Sequence, residues 1–167
     1  MLSVKSLYLL RKNQLGFFEE LFDLKVPSDA FYEAKTFEKS LIPSMIDEIP
    51  MFAFAAPFAK KATIVKDAKE LRFKESDRIS ACVKGLKNLG AEVTEYEDGM
   101  KIEGKGTLKG GGVVESFHDH RIAMAAAIAA TACEEPVIIK DADCTAISFP
   151  SFFDELKEFG IGVEHVK

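Results

Sequence analysis

Several common features are scarce in this sequence. Cysteine occurs three times in 167 residues, as Cys82, Cys133 and Cys144, with no CxxC pair. An odd count without paired spacing, and without a signal-like leader, points to a reducing, cytoplasmic setting rather than a disulfide scaffold. All three lie among apolar or small neighbours and read as buried thiols. No apolar run approaches the ~18 residues of a membrane span; the longest, Ile122 to Cys133, is Ala-rich and too short. Basic charge is not in excess: 22 basic against 27 acidic residues leave a net charge of −5, which argues against nucleic acid as a partner. Local basic clusters can still take small anions. What is present is apolar content, 47% hydrophobic with 29% charged, which excludes general disorder. One globular domain over 1–167 is expected, burying roughly 70% of its unfolded surface.

The chain repeats itself. Ile64-Val65-Lys66-Asp67-Ala68 recurs as Ile138-Ile139-Lys140-Asp141-Ala142, and Leu86-Lys87-Asn88-Leu89-Gly90 recurs loosely as Leu156-Lys157-Glu158-Phe159-Gly160. A partial third copy shows where Phe17-Phe18-Glu19-Glu20-Leu21 matches Phe152 to Leu156. The approximate units are 1–40 (partial), 41–110 and 111–167. Each opens with a nearly apolar helix, Asp47 to Ala59 and His120 to Cys133, expected to be buried on every side. A β-branched strand follows, Thr63 to Lys66 and Pro136 to Lys140. An amphipathic helix comes next, Ser76 to Leu89 and Pro150 to Phe159, with Gly90 and Gly160 as left-handed C-caps. A strand closes each unit. In the first, Glu92 to Glu97 turns at Asp98-Gly99 into Met100 to Glu103. Gly104 to Gly112 reads as a linking loop. Alternating strands and helices mean α/β (or α+β), and buried helices at a repeated position suggest helices inside with sheets around them.

Three polar clusters stand at or just before helix starts: Asp47-Glu48, Lys74-Glu75-Ser76-Asp77-Arg78 and His118-Asp119-His120-Arg121. Helix N-termini attract anions, and Lys or Arg beside them can hold a phosphate or carboxylate. Asp or Glu in such a place suits proton transfer or hydroxyl binding. The plainer readings are N-capping by Asp47, Ser76 and Asp119, and a solvated charge ladder over 74–78. His118 and His120 have His-x-His spacing, but no further His or Cys cluster completes a zinc site. Residue chemistry by itself stops at an anion-binding α/β domain.

The motifs go further. Leu41-Ile42-Pro43 through Asp47-Glu48-Ile49-Pro50, then Glu70-Leu71-Arg72-Phe73-Lys74-Glu75-Ser76-Asp77-Arg78-Ile79, then Asp119-His120-Arg121-Ile122-Ala123-Met124, then Ser148-Phe149-Pro150 occur in this order. Together they resemble the C-terminal part of the 5-enolpyruvylshikimate-3-phosphate synthase (3-phosphoshikimate 1-carboxyvinyltransferase) family. The resemblance implies an inside-out α/β barrel domain of βαβαββ units, here incomplete, in a two-domain transferase that is monomeric when complete. It implies carboxyvinyl transfer from phosphoenolpyruvate to the 5-hydroxyl of shikimate 3-phosphate in chorismate biosynthesis. No metal or organic cofactor is implied, and neither nucleic acid nor membrane is a partner. By the same resemblance Asp47 is a candidate base at the shikimate hydroxyl and Glu75 moves the proton at the enolpyruvyl methylene. Lys74 contacts the shikimate substrate, and Arg78 and Arg121 hold phosphoenolpyruvate with His120 beside them. Ile147 stands where some members carry a phosphoenolpyruvate-binding lysine, and Glu70 where some carry a substrate-binding asparagine. The family's other domain would supply the rest of the cleft, so the chain is expected to be a fragment, inactive alone. The alternatives are an enzyme acting on a UDP-N-acetyl sugar and a non-catalytic repeat domain.

Overall fold

The computed structural model describes residues 36–165. The Phe17 to Leu21 copy, and nearly all of the partial first unit, lie outside the described residues. Strand β1 (Thr36–Phe37) leads through the short α1 (Leu41–Ser44) and α2 (Ile49–Ala55) to β2 (Thr63–Val65). Then follow α3 (Arg78–Asn88), β3 (Val93–Tyr96) and β4 (Gly99–Ile102). The second unit runs through β5 (Val113–Glu115), α4 (His120–Ala130), β6 (Ile138–Lys140) and α5 (Phe152–Glu158), with a 3₁₀ stretch at Ala142–Ile147.

From β1 to β4 the larger elements spell βαβαββ. They form one sheet in the order β1-β2-β4-β3, with β1 and β2 parallel and the other pairs antiparallel. β5 and β6 form a separate parallel pair. The repeat is therefore visible as two parallel strand–helix–strand crossovers, β1-α2-β2 and β5-α4-β6, with α2 and α4 packed on each other and on α3. It extends to backbone detail. Asp67 and Asp141, at matching places after β2 and β6, both take left-handed conformations, with φ of 57° and 52°. The Asp67 carboxylate accepts from the Lys39 N–H (3.2 Å), and that of Asp141 lies 3.8 Å from His118.

Local chemistry explains the helices. Ala has the highest helix propensity and lets backbones approach; α4 carries Ala123, Ala125, Ala126, Ala127 and Ala129 on its buried side. Its first turn is closed by Asp119, which accepts from the Arg121 N–H (2.9 Å). α3 is capped by Asp77, which accepts from the Ser80 N–H (3.0 Å). Both α3 and α5 end in Schellman motifs. Ala91 N–H donates to Leu86 O and Ile161 N–H to Leu156 O, around Gly90 (φ +90°) and Gly160 (φ +79°). The core holds Phe54, Leu71, Ile79, Leu86, Met100, Ile102 and Ile122, all essentially without solvent exposure. Truncating one such residue, Phe54 to Ala, costs about 3–5 kcal/mol.

Several expectations are corrected. The apolar helices are shorter than expected, and α2 passes into a 3₁₀ turn (Ala56–Phe58) at Pro57. They are not buried on every side: Met51 and Ile128 are 37% and 38% exposed, because nothing among the described residues packs on their outer ridges. The hairpin turn is Glu97-Asp98, not Asp98-Gly99, since Gly99 already pairs with Tyr96. Gly99 is required for another reason: a Cβ there would run into the Val65 carbonyl of the neighbouring strand. The second unit shows no closing strand among the described residues. Ile161 and Val163 instead pack on Phe152 and Leu156. Cys82 and Cys144 are buried, but Cys133 is only partly so.

Candidate functional site

The three polar clusters, distant in sequence, meet where the N-terminal ends of α2, α3 and α4 come together. Asp47 lies in the turn before α2, Glu75 and Ser76 in the segment before α3, Arg78 at the first position of α3, and Asp119 and Arg121 at the start of α4. Arg78 is the centre. Its side chain has no solvent exposure and donates three charge-assisted bonds: Nε to Asp119 Oδ2 (2.9 Å), Nη1 to Asp47 Oδ1 (2.9 Å) and Nη2 to Glu75 Oε2 (2.6 Å). Burying a guanidinium costs several kcal/mol, and only such a full set of partners offsets it. Burial by itself would lower the Arg78 pKa, but the bonds to Asp119 and Asp47 outweigh it and raise it, so the cation stays charged.

Above this floor lies an accessible rim. Arg121 is about one-third exposed; Nη2 sits 3.0 Å from Asp47 Oδ2, and Nη1 donates to the Asp47 backbone O (3.3 Å). Asp47 therefore lies between two arginines. The hydrogen bond from Arg78 holds its carboxyl below the ordinary 3.8, against some desolvation and with help from the charges of Arg121 and Lys74. Glu75 is about half exposed, at the mouth of a shallow groove lined also by Ser76, Ser80, Lys84 and Phe117. Phe117 and His118, just before α4, are consecutive left-handed residues with φ of 55° and 58°. This is a strained turn of the kind found beside functional sites. It brings the Phe117 ring under Lys84 Nζ, 5.6 Å from the ring centre.

Of the residues singled out from sequence, Asp47, Glu75, Arg78 and Arg121 are brought into one bonded cluster. Lys74 stands at its edge, one residue from Glu75, and pairs with Glu70 (3.0 Å). That i,i+4 pair reaches outside the run 74–78 expected as a solvated ladder; within the run Glu75 pairs with Arg78, which is buried and does not belong to a solvated face. His120 opens α4 next to Arg121 and is half-buried. Ile147, in the place of the missing lysine, is 75% exposed. The capping reading holds for Asp119 but fails for the other two. Asp77, not Ser76, caps α3, and no side chain caps α2, whose cap position is Glu48. Asp47 and Glu75 are thus free of capping duty. Arg78, expected to hold phosphoenolpyruvate, has every bonded nitrogen taken by a carboxylate, so only Arg121 of the two presents itself to an anion. The residue that sequence reasoning undervalued is Asp119. Its burial depends on how α3 and α4 pack, and its only sequence signal is its place in the His-Asp-His-Arg run.

Helices packed inside sheets define an inside-out α/β domain, and arginines and carboxylates gather at its helix starts. The chain belongs to the EPSP synthase (3-phosphoshikimate 1-carboxyvinyltransferase) family, whose model matches residues 22–156. It is 52% identical over 120 residues to the 3-phosphoshikimate 1-carboxyvinyltransferase of Persephonella marina, covering 72% of this chain and 28% of that one. It is 54% identical over 119 residues to the enzyme of the same name from Caldicellulosiruptor bescii, covering 71% and 28%. Among solved structures, EPSP synthase from Acinetobacter baumannii superposes with a TM-score of 0.71 at 40% identity, over 76% of this chain and 30% of that one. The chain thus spans under one-third of the length of the relatives it matches.

Proposed function

We propose that this chain supplies one side of the cleft of an enzyme that transfers the carboxyvinyl group of phosphoenolpyruvate to the 5-hydroxyl of shikimate 3-phosphate, releasing phosphate. The observation that carries the proposal is the joining of Asp47, Glu75, Arg78 and Arg121 through bonds of 2.6–3.0 Å at three helix starts. Both substrates are polyanions, so cations are needed. Addition and elimination need carboxylates that move protons.

The geometry supports an order among the roles. Arg121 is the accessible cation and meets the phosphoenolpyruvate anion first; Arg78 becomes available only where Asp47 and Glu75 release it. Lys74, paired with the exposed Glu70, turns to the shikimate substrate, and His120 lines the site beside Arg121. A carboxylate whose pKa is depressed is a weak base. An anion that takes Arg121 away from Asp47 raises its basicity, which ties readiness for chemistry to substrate binding. Asp47 then accepts the hydroxyl proton as oxygen attacks C2, while Glu75, released from Arg78 and protonated, delivers its proton to C3; in the elimination Glu75 takes a proton back from C3 and Asp47 returns its own to the leaving phosphate. The other side of the cleft comes from the second domain of the complete enzyme, a monomer working in the cytoplasm, so the isolated 167-residue chain is inactive.

The test is phosphate release by the full-length protein with both substrates. Release that depends on shikimate 3-phosphate, and not on a UDP-N-acetyl sugar, is the expected result. No release with either acceptor overturns the proposal and leaves a non-catalytic domain.

A further inference from the structure

We propose that Asp119 is a positioning residue: a buried carboxylate that orients Arg78 and, through it, sets the placement of Asp47 and Glu75. The inference rests on reading those two groups as the proton carriers. Asp119 has no solvent exposure, so it can act only through its neighbours. Three donors fix it: Arg121 N–H on Oδ1 (2.9 Å), and Ser76 Oγ (3.0 Å) and Arg78 Nε (2.9 Å) on Oδ2. An N-cap needs only the first of these. The bonds to Oδ2 are surplus to capping, and they reach across to the segment before α3 and to α3 itself.

Rigid geometry gives the surplus its use. A guanidinium is planar, and its donors form a fixed fork. Once Asp119 sets the direction of Nε, the two terminal nitrogens have no freedom left, and each holds one carboxylate, Asp47 or Glu75. These come from different segments of chain, so one plane sets their spacing. Charge points the same way. The ionisable groups facing Arg78 and its partners are Asp47, Lys74, Glu75, Asp77, Arg121 and the buried thiol of Cys82, itself pushed up by burial and by the Asp119 charge. Asp119 is the only one of the carboxylates bonded to Arg78 that is wholly buried, and so it is the constant partner while the other two exchange bonds with substrate.

The deciding variant is Asp119→Asn in the full-length protein. Asparagine caps as well as aspartate and keeps the Oδ1 acceptor for Arg121 N–H, but it sets an NH₂ against Arg78 Nε. Expected are a kcat lower by ~10- to 100-fold, the usual result of displaced catalytic groups, a phosphoenolpyruvate KM within about threefold of the parent, and loss of a protected Arg78 Nε–H signal in NMR spectra of the ligand-free protein. A folded variant with unchanged kcat, or with the Nε–H signal retained, overturns the inference. Should Asp119→Asn not fold, Ser76→Ala decides. It removes one donor to Oδ2 and keeps the charge, so faster Nε–H exchange with reduced kcat supports the role, and no change in either overturns it. Normal turnover by Asp47→Asn and Glu75→Gln would instead sink the underlying reading, which separates the two failures.

Discussion

The starts of α2 and α4 occupy the same place in two copies of one unit, and each carries an aspartate that meets Arg78. Asp119 is wholly buried and caps its helix; Asp47 is 42% exposed at its side chain and caps nothing. The difference comes from neighbours. Asp119, before α4, is enclosed by Ser76 and Arg78 from the α3 side, whereas α2 begins at Ile49 after Glu48, and Pro50 in its first turn needs no acceptor. One repeat thus uses its aspartate to build the floor, and the other leaves its aspartate on the rim, where solvent reaches it.

The contrast can be broken most directly at the rim. In the full-length enzyme Asp47→Asn and Glu75→Gln keep shape and acceptor but cannot carry a proton, so kcat should fall by ~10²–10⁴ with melting temperature nearly level. Turnover within twofold of the parent would return both residues to a structural role. At the floor the effect should be on stability. Asp119→Ala removes a cap and the wholly buried partner of a buried cation, at a cost of about 3–5 kcal/mol, whereas Asp47→Ala removes a partner at a place that water reaches and replaces, and should cost less. Urea titration of the two variants side by side checks this, and equal losses would erase the distinction.

Arg121→Ala should weaken phosphoenolpyruvate binding by roughly 10- to 100-fold, the worth of a charged hydrogen bond of about 1.5–3 kcal/mol, with little change in melting temperature. Calorimetric titration reads it; an unchanged Kd would mean that Arg121 serves Asp47 alone. The smallest effect is on pH. Because the Asp47 pKa is depressed by folding, its contribution to stability is fully present above the ordinary 3.8 and is lost as pH falls through the lower folded value. Stability of Asp47→Asn should therefore fall less steeply than that of the parent below pH 3.8. Parallel curves would show that the two arginines do not act on this carboxylate.

Local signals carried much of the architecture. The paired Ile-x-Lys-Asp-Ala segments, the Leu-Lys-x-x-Gly helix ends and the Ala-rich run are short-range patterns, and short-range hydrogen bonding and packing answer to them directly. The Schellman motifs at Gly90 and Gly160 are an example, since only the backbone freedom of glycine is needed there. The hairpin turn was misplaced by one residue because Gly99 answers to the strand beside it, a long-range demand that its dipeptide does not show.

Sequence by itself determined the recurring segments, the main helices with the strands that follow α2 and α4, and the residue types gathered at the helix starts; β1, β5 and the want of a closing strand after α5 among the described residues were not legible in it. It also determined the family, because four ordered motifs span more than a hundred residues. Only the tertiary structure decided which charges are buried. Arg78 and Asp119 are as polar in sequence as Arg121 and Asp47, and no local pattern separates them. What separates them is the packing of α3 against α4, which removes water from one pair and leaves it around the other. In a medium of low polarity an ion must find partners within bonding distance, so that packing turned three clusters of similar composition into a fixed floor and an accessible rim.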